Sequence, residues 1–146
     1  MKLNDILENH NDFYYNLPHE ELLQRLQSNG MIIGDIINSF IYNREHVPED
    51  LLLAAVENTG IAYFKINSSN INIPPDVTKF AVEKWGWPIT VVDNPSPALV
   101  KLALTCEPFI RNEKLYHDYV TLHVFPNNSV MANKWLRYGE NIRDLK

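Results

Sequence analysis

The chain has 146 residues, 45% hydrophobic and 11% aromatic, with a formal net charge of −5, which suits one folded domain with its own core and excludes intrinsic disorder. The acidic balance makes it a poor general nucleic-acid binder, because phosphate contacts need clustered Lys and Arg. Cys106 is the one cysteine, the apolar runs are too short to span a bilayer, and "MKLNDILENHNDF" (1–13) has no apolar signal core, so a reducing, cytoplasmic setting is expected, with no disulfide and no membrane partner.

The first predicted helix lies in "NLPHEELLQRLQSNG" (16–30). Asn16 is its candidate cap, Pro18, Glu20 and Glu21 sit near the first turn, and Gly30 is the expected stop in a left-handed conformation. Leu22, Leu23 and Leu26 share one face, and in "GDIINSFIYNR" (34–44) Ile36, Ile37, Phe40 and Ile41 recur at helical spacing.

The middle of the chain repeats. With Pro48 aligned on Pro74, an offset of 26, Asp50 meets Asp76, Leu51 meets Val77, Ala55 meets Ala81, Val56 meets Val82 and Gly60 meets Gly86. At a further offset of 22, Leu99, Lys101, Ala103 and Leu104 match Val77, Lys79, Ala81 and Val82, with Pro108 in place of the glycine. Pro18 and Gly30 keep the same twelve-residue step in a degenerate earlier copy, where Arg25 takes the alanine slot. Each unit reads as a helix opened by proline and an acid, with Ala at a close helix contact and a glycine stop. A second apolar stretch follows each time: "IAYFKI" (61–66), "WPITVV" (87–92) and "FIRNEKL" (109–115). Read as short helices, these give an all-α fold of irregular, solenoid-like helical-hairpin repeats in a single domain. Read as strands, as the β-branched "WPITVV" allows, they give an α/β fold of helix–strand repeats. The units fall at about 18–47, 48–73, 74–95 and 96–125. A capping helix over 128–139 closes the array, with Ser129 as its cap, Gly139 as its stop, and Val130, Met131, Lys134, Trp135 and Tyr138 as its stripe.

The pattern P-x-D-[LV]-x-x-x-A-V-E-x-x-G, with the linker and helix "VVDNPSPALVKLAL" (91–104), resembles uncharacterised short helical repeats of bacterial, bacteriophage and large-virus proteins. The resemblance covers about 48–112, and 18–47 more loosely. It implies repeat architecture and no particular activity. Seventeen asparagines and thirteen isoleucines fit the AT-rich coding of many bacteriophages.

Candidate chemistry is sparse. His117 and His123, with Asp118 between them, lie six residues apart, not at the i, i+4 step of a helical zinc pair, so no metal is expected. Glu107 beside Cys106 opposes thiolate formation. Glu20–Glu21 and Glu49–Asp50 open helices, where the dipole explains them. Nothing points to a cofactor or to an enzyme. Trp85 and Trp87 flank Gly86; Trp87 replaces an apolar residue and reads as core, whereas Trp85 replaces a polar one and reads as exposed, a candidate protein-binding anchor. Lys134, Trp135, Arg137, Tyr138 and Arg143 form a basic-aromatic cluster. It suits a protein hot spot or a terminal cap, or alternatively a grip on single-stranded nucleic acid. The expected function is a non-catalytic protein-interaction module, such as a bacteriophage accessory protein that binds or inhibits a host factor. The alternative is a small nucleic-acid- or nucleotide-associated regulator using the C-terminal cluster.

Overall fold

The computed structural model describes residues 12–145; the N-terminal stretch read for a secretory signal lies largely outside them. Among the described residues the chain is all-α, with no strand, so the helix–strand alternative does not hold. The helices are α1 (His19–Ser28), α2 (Ile33–Tyr42), α3 (Glu49–Asn58), α4 (Ile61–Ser68), α5 (Pro75–Trp85), α6 (Pro97–Leu104), α7 (Glu107–Arg111), α8 (Glu113–Asp118) and α9 (Ser129–Asp144). Short 3-10 turns fill Gly30–Ile32 and Trp87–Val91, and a π-helix covers Tyr119–Val124. The ambiguous stretch 61–66 is therefore α-helical and 87–92 is a 3-10 turn through Val91 with Val92 extended, while 109–115 is split between α7 and α8 at Asn112.

The repeat prolines open their helices from one residue earlier than the first turn. Pro18 (φ −55°, ψ 145°) and Pro48 (φ −57°, ψ 139°) are N-caps in extended geometry. Their carbonyls, and that of Pro74, accept the first helical bonds from Leu22, Leu51 and Val77. The ring fixes φ where a cap needs a non-helical backbone, so it serves without a capping side chain. In the third copy the equivalent position is Ser96, whose hydroxyl accepts the Leu99 amide at 3.2 Å, with Pro97 at the first helical position.

Of the repeat glycines, only Gly86 acts as the pattern predicts, as a left-handed stop just past the end of its helix. α1 and α3 end on Asn29 and Thr59, both extended with φ near −153°, one residue ahead of the glycine. Gly60 is right-handed (φ −63°), and of the repeat glycines only Gly86 has positive φ, at 75°. Gly30 is there for space: a Cβ would stand 2.4 Å from the Ala55 carbonyl oxygen.

The described residues form two compact units that divide within α5, one ending at Phe80 and the other beginning at Ala81. In the first, α1 packs along α3, α2 along α4, and α3 against α4, the stacking expected of successive helical hairpins. Its core holds Leu22, Leu26, Ile33, Ile37, Leu51, Val56 and Ile66, all buried. The alanine slot is fully buried at Ala55, Ala81 and Ala103, but Arg25 in the earlier copy is exposed and paired with Glu21 at 3.1 Å. The second unit centres on Phe109, whose ring meets Tyr116 edge-on at 5.4 Å. There α9 packs on α7 and on the π-helix.

α9 departs from its expected limits and face. Its cap is Asn128, whose side chain accepts the Met131 amide at 3.1 Å; Ser129 is already helical. It runs through Gly139 to Asp144. Gly139 is buried mid-helix because a Cβ would stand 2.9 Å from the Tyr116 ring. The inward face is accordingly Ala132, Trp135, Leu136, Tyr138, Gly139 and Ile142, so Trp135 and Tyr138 of the expected stripe hold, while Val130 is 77% exposed and Lys134 faces solvent.

Candidate functional site

Trp85 ends α5, and the next residue turns the chain. The Gly86 amide donates to the Val82 carbonyl at 2.8 Å, and its positive φ admits no ordinary side chain. A Cβ there would also lie 2.6 Å from Cβ of Phe109 and 2.8 Å from that of Cys106. This turn brings the Trp85 and Trp87 rings to 6.5 Å. Both are half-buried, so Trp85 is less exposed than the sequence reading has it, while Trp87 packs on the core as expected without being fully buried. Trp87 lies against the core of its unit, and the Lys84 ammonium sits 5.6 Å from the Trp85 ring centre, a cation–π contact worth about 0.5–1 kcal/mol at such a site.

The C-terminal cluster is dispersed around α9. Trp135 and Tyr138 are half-buried with their rings edge-on at 5.5 Å. Arg143 is turned inward, donating to the Ile110 carbonyl at 2.7 Å near the end of α7. Lys134 and Arg137 remain exposed on the outer side. The aromatic members thus serve packing, and the freely presented basic charge of the predicted cluster reduces to two side chains.

The remaining sequence candidates are also placed. Cys106 is buried, its thiol donating to the Glu83 carbonyl at 3.6 Å. Burial pushes this thiol up, the Phe109 amide opposes that, and Glu107 adds to it. Glu20 and Glu21 lie in the first turn of α1, Glu49 and Asp50 in that of α3, and Asp50 pairs with His19 at 2.6 Å. The Lys114 hydrogen bond holds the Asp118 carboxyl below its usual value, with His117 adding to this at 3.6 Å. Among the described residues no group of three His, Cys, Asp or Glu is placed to hold a metal.

Two concavities were not legible in the sequence. In the first unit a groove of about 600 Å³ opens between the end of α2, the start of α3 and the loop after α4. Val47, Leu52, Ile71 and Pro74 line it from buried or half-buried positions. Exposed Arg44, Glu45, His46, Asn70 and Asn72 line it from the outside, with Ile41 beside them, 48% exposed. Arg44 (φ 58°) and Asn70 (φ 57°) are left-handed, which turns both loops around the groove. Such geometry is uncommon for Arg and carries little sequence signal.

In the second unit a hollow of about 440 Å³ lies between the 3-10 turn 87–91, the loop at Asn94, the start of α6 and the π-helix. The π-helix is marked by the Phe125 amide donating five residues back to Val120 at 3.0 Å. It stacks the His123 ring on Tyr119 at 5.7 Å. The Tyr119–His123 step of four was the signal available; the sequence reading paired His123 with His117 instead. Tyr119 is 6% exposed, and burial pushes its phenol above the usual value, keeping it a protonated donor at neutral pH.

No family model, curated protein or solved structure matches the chain. Among the described residues no helix is long and apolar enough to cross a membrane.

Proposed function

We propose that the chain is a non-catalytic protein-interaction module, and that the groove of the first unit is its docking surface. One observation carries this reading: the groove combines an apolar floor of Val47, Leu52, Ile71 and Pro74 with a rim of exposed polar and charged side chains. That is the anatomy of a protein interface, an apolar centre inside a polar rim. Ile41 and Tyr42, about half exposed at the end of α2, supply the large side chains that carry binding energy when a partner covers them. Stacked helical hairpins present such surfaces on a rigid frame. A bacteriophage accessory protein that binds or inhibits a host factor in the host cytoplasm is the setting we propose for it. The regulator reading loses support, because Arg143 is engaged by a backbone carbonyl and Trp135 is half-buried.

The test is affinity purification from native cells with the wild-type chain and an Ile41→Glu, Tyr42→Lys variant. Both substituted positions are exposed, so the melting temperature should hold while capture of the partner falls. Equal capture by both forms would sink the groove as the interface.

A further inference from the structure

Asn29–Gly30 is the one Asn-Gly step in the sequence, and it stands where α1 gives way to the 3-10 turn. Asparagine is thermolabile, because the next main-chain nitrogen can attack its carboxamide carbon. Glycine hinders that attack least, since it puts no side chain beside the nitrogen. The Asn29 side chain is exposed and lines an open concavity with Glu21, Arg25 and Ser28, so water reaches it.

Two hydrogen bonds act on this step in opposite senses. The Met31 amide donates to Asn29 Oδ1 at 3.1 Å. It orients the carboxamide and stabilises the negative charge that gathers on Oδ1 when Cγ is attacked. The Gly30 amide carries the attacking nitrogen, and it donates to Asn58 Oδ1 at 2.7 Å in a part-buried place. That nitrogen must shed its proton before it can attack, and the proton is held against an acceptor at the end of α3. The carbon is thus readied by its own turn, while the nitrogen is restrained by a neighbouring helix.

We infer that Asn29 is a self-modification site, converted to isoaspartate when Asn58 releases the Gly30 amide. The Gly30 nitrogen loses its proton to solvent and bonds to Asn29 Cγ. The Cγ–Nδ2 bond breaks, and Nδ2 leaves as ammonia with a proton taken from solvent. Water then opens the cyclic imide. Cleavage between the Gly30 nitrogen and the Asn29 main-chain carbonyl carbon leaves isoaspartate; cleavage at Cγ leaves aspartate. Isoaspartate runs the main chain through Cβ and Cγ, one atom longer, and adds a carboxylate. Gly30 has no slack for this, because it stands so close to the Ala55 carbonyl that even a Cβ would clash. Conversion therefore costs α1 its polar link to α3. The site stands whether or not the groove of the first unit binds a protein.

The experiment is peptide mapping by mass spectrometry of the full chain aged at neutral pH, with isoaspartate identified by its enzymatic carboxyl methylation. Urea-unfolded wild type should convert Asn29 ahead of Asn38, Asn67 and Asn128, which precede serine. Folded wild type should convert it more slowly. Folded Asn58→Ala should speed conversion roughly three- to tenfold, the worth of one net hydrogen bond. Ala81→Leu, destabilised in the second unit, should stay near the wild-type rate, which separates release of the amide from general unfolding. Asn29→Ser keeps a capping oxygen without a carboxamide; its melting temperature should hold on ageing while that of wild type falls. Should Asn58→Ala not fold, hydrogen exchange at the Gly30 amide of wild type reads the same restraint, and it should be slow. Equal conversion in folded and unfolded wild type, no gain in folded Asn58→Ala, the same gain in Ala81→Leu, or an unprotected Gly30 amide would each overturn the inference.

Discussion

Asn58 and Gly30 are joined by a 2.7 Å hydrogen bond, from the Gly30 amide to the Asn58 Oδ1, while Nδ2 of the same side chain donates to the Gln27 carbonyl at 2.8 Å. One asparagine at the end of α3 thus satisfies a donor and an acceptor left over where α1 gives way to the 3-10 turn. The link works because Gly30 has no side chain and can approach the Ala55 carbonyl. Stacking of the first hairpin on the second is therefore specified by polar pairing as well as by apolar burial.

Asn58→Ala should cost about 1–3 kcal/mol, chiefly because the part-buried Gly30 amide loses its acceptor, while the exposed Gln27 carbonyl can turn to water. Asn58→Asp keeps the acceptor for Gly30 and loses the donor to Gln27, so thermal melts should place it between wild type and Asn58→Ala. The Asn58→Ala variant also frees the Gly30 amide to attack the Asn29 carboxamide. Mass spectrometry after incubation should then show faster deamidation at Asn29 than in wild type. Equal melting temperatures for all three forms would show that the clamp contributes nothing.

Ala81→Leu should overpack its site and cost roughly 1–3 kcal/mol. Ala81 is fully buried, as are its repeat equivalents Ala55 and Ala103. Chemical denaturation is the measurement. An unchanged midpoint would mean the slot has room, and the physical basis assigned to the repeat would fail.

What was readable in the sequence is what local physics decides. Proline followed by acids starts a helix through fixed φ and the helix dipole, and the alanine slots recur because close helix contact admits only a small side chain. What misled was glycine, whose role depends on its neighbours in space. Gly30 yields to the Ala55 carbonyl and Gly139 to the Tyr116 ring, and neither ends a helix by left-handed geometry. The α9 stripe is right in part: Trp135 and Tyr138 pack on the core as expected, Val130 and Lys134 do not, and a stop at Gly139 leaves out Ile142 beyond it. The groove and the hollow depend on the left-handed residues Arg44, Asn70 and Asn94, none a glycine, so nothing local announced them.

Trp87→Ala should lower stability by about 2–4 kcal/mol, somewhat below the full loss for a buried tryptophan, because the ring packs on the core yet is half-buried. Trp85→Ala should cost less, through lost contact with Trp87 and Lys84. Thermal melts of both variants decide the order. A larger loss at Trp85 would mean that the turn at Gly86 directs the wrong ring toward the core.

Alkaline pH should destabilise the fold, and Tyr116 should be a main cause. Its buried hydroxyl donates to the Leu104 carbonyl at 3.0 Å and lies 3.5 Å from that of Trp135. Burial pushes the phenol well above its ordinary 10.0, Tyr138 adds to this, and Arg143 partly offsets it. Tyr63 and Tyr119 are raised from the same 10.0, again chiefly by burial. A folded-state value above the unfolded one means that the unfolded chain loses these protons first. The stabilisation is therefore fully present below pH 10.0 and is lost as pH rises above it. Melting temperature measured from neutral to strongly alkaline pH should stay level and then fall. Phenolate absorbance of the folded protein should lag behind that of the denatured chain. Tyr116→Phe should cost about 1–3 kcal/mol at neutral pH through the lost hydrogen bonding, and its melting temperature should then decline less steeply above pH 10.0. An alkaline slope identical to that of wild type would remove Tyr116 from the explanation and leave Tyr63 and Tyr119 to account for it.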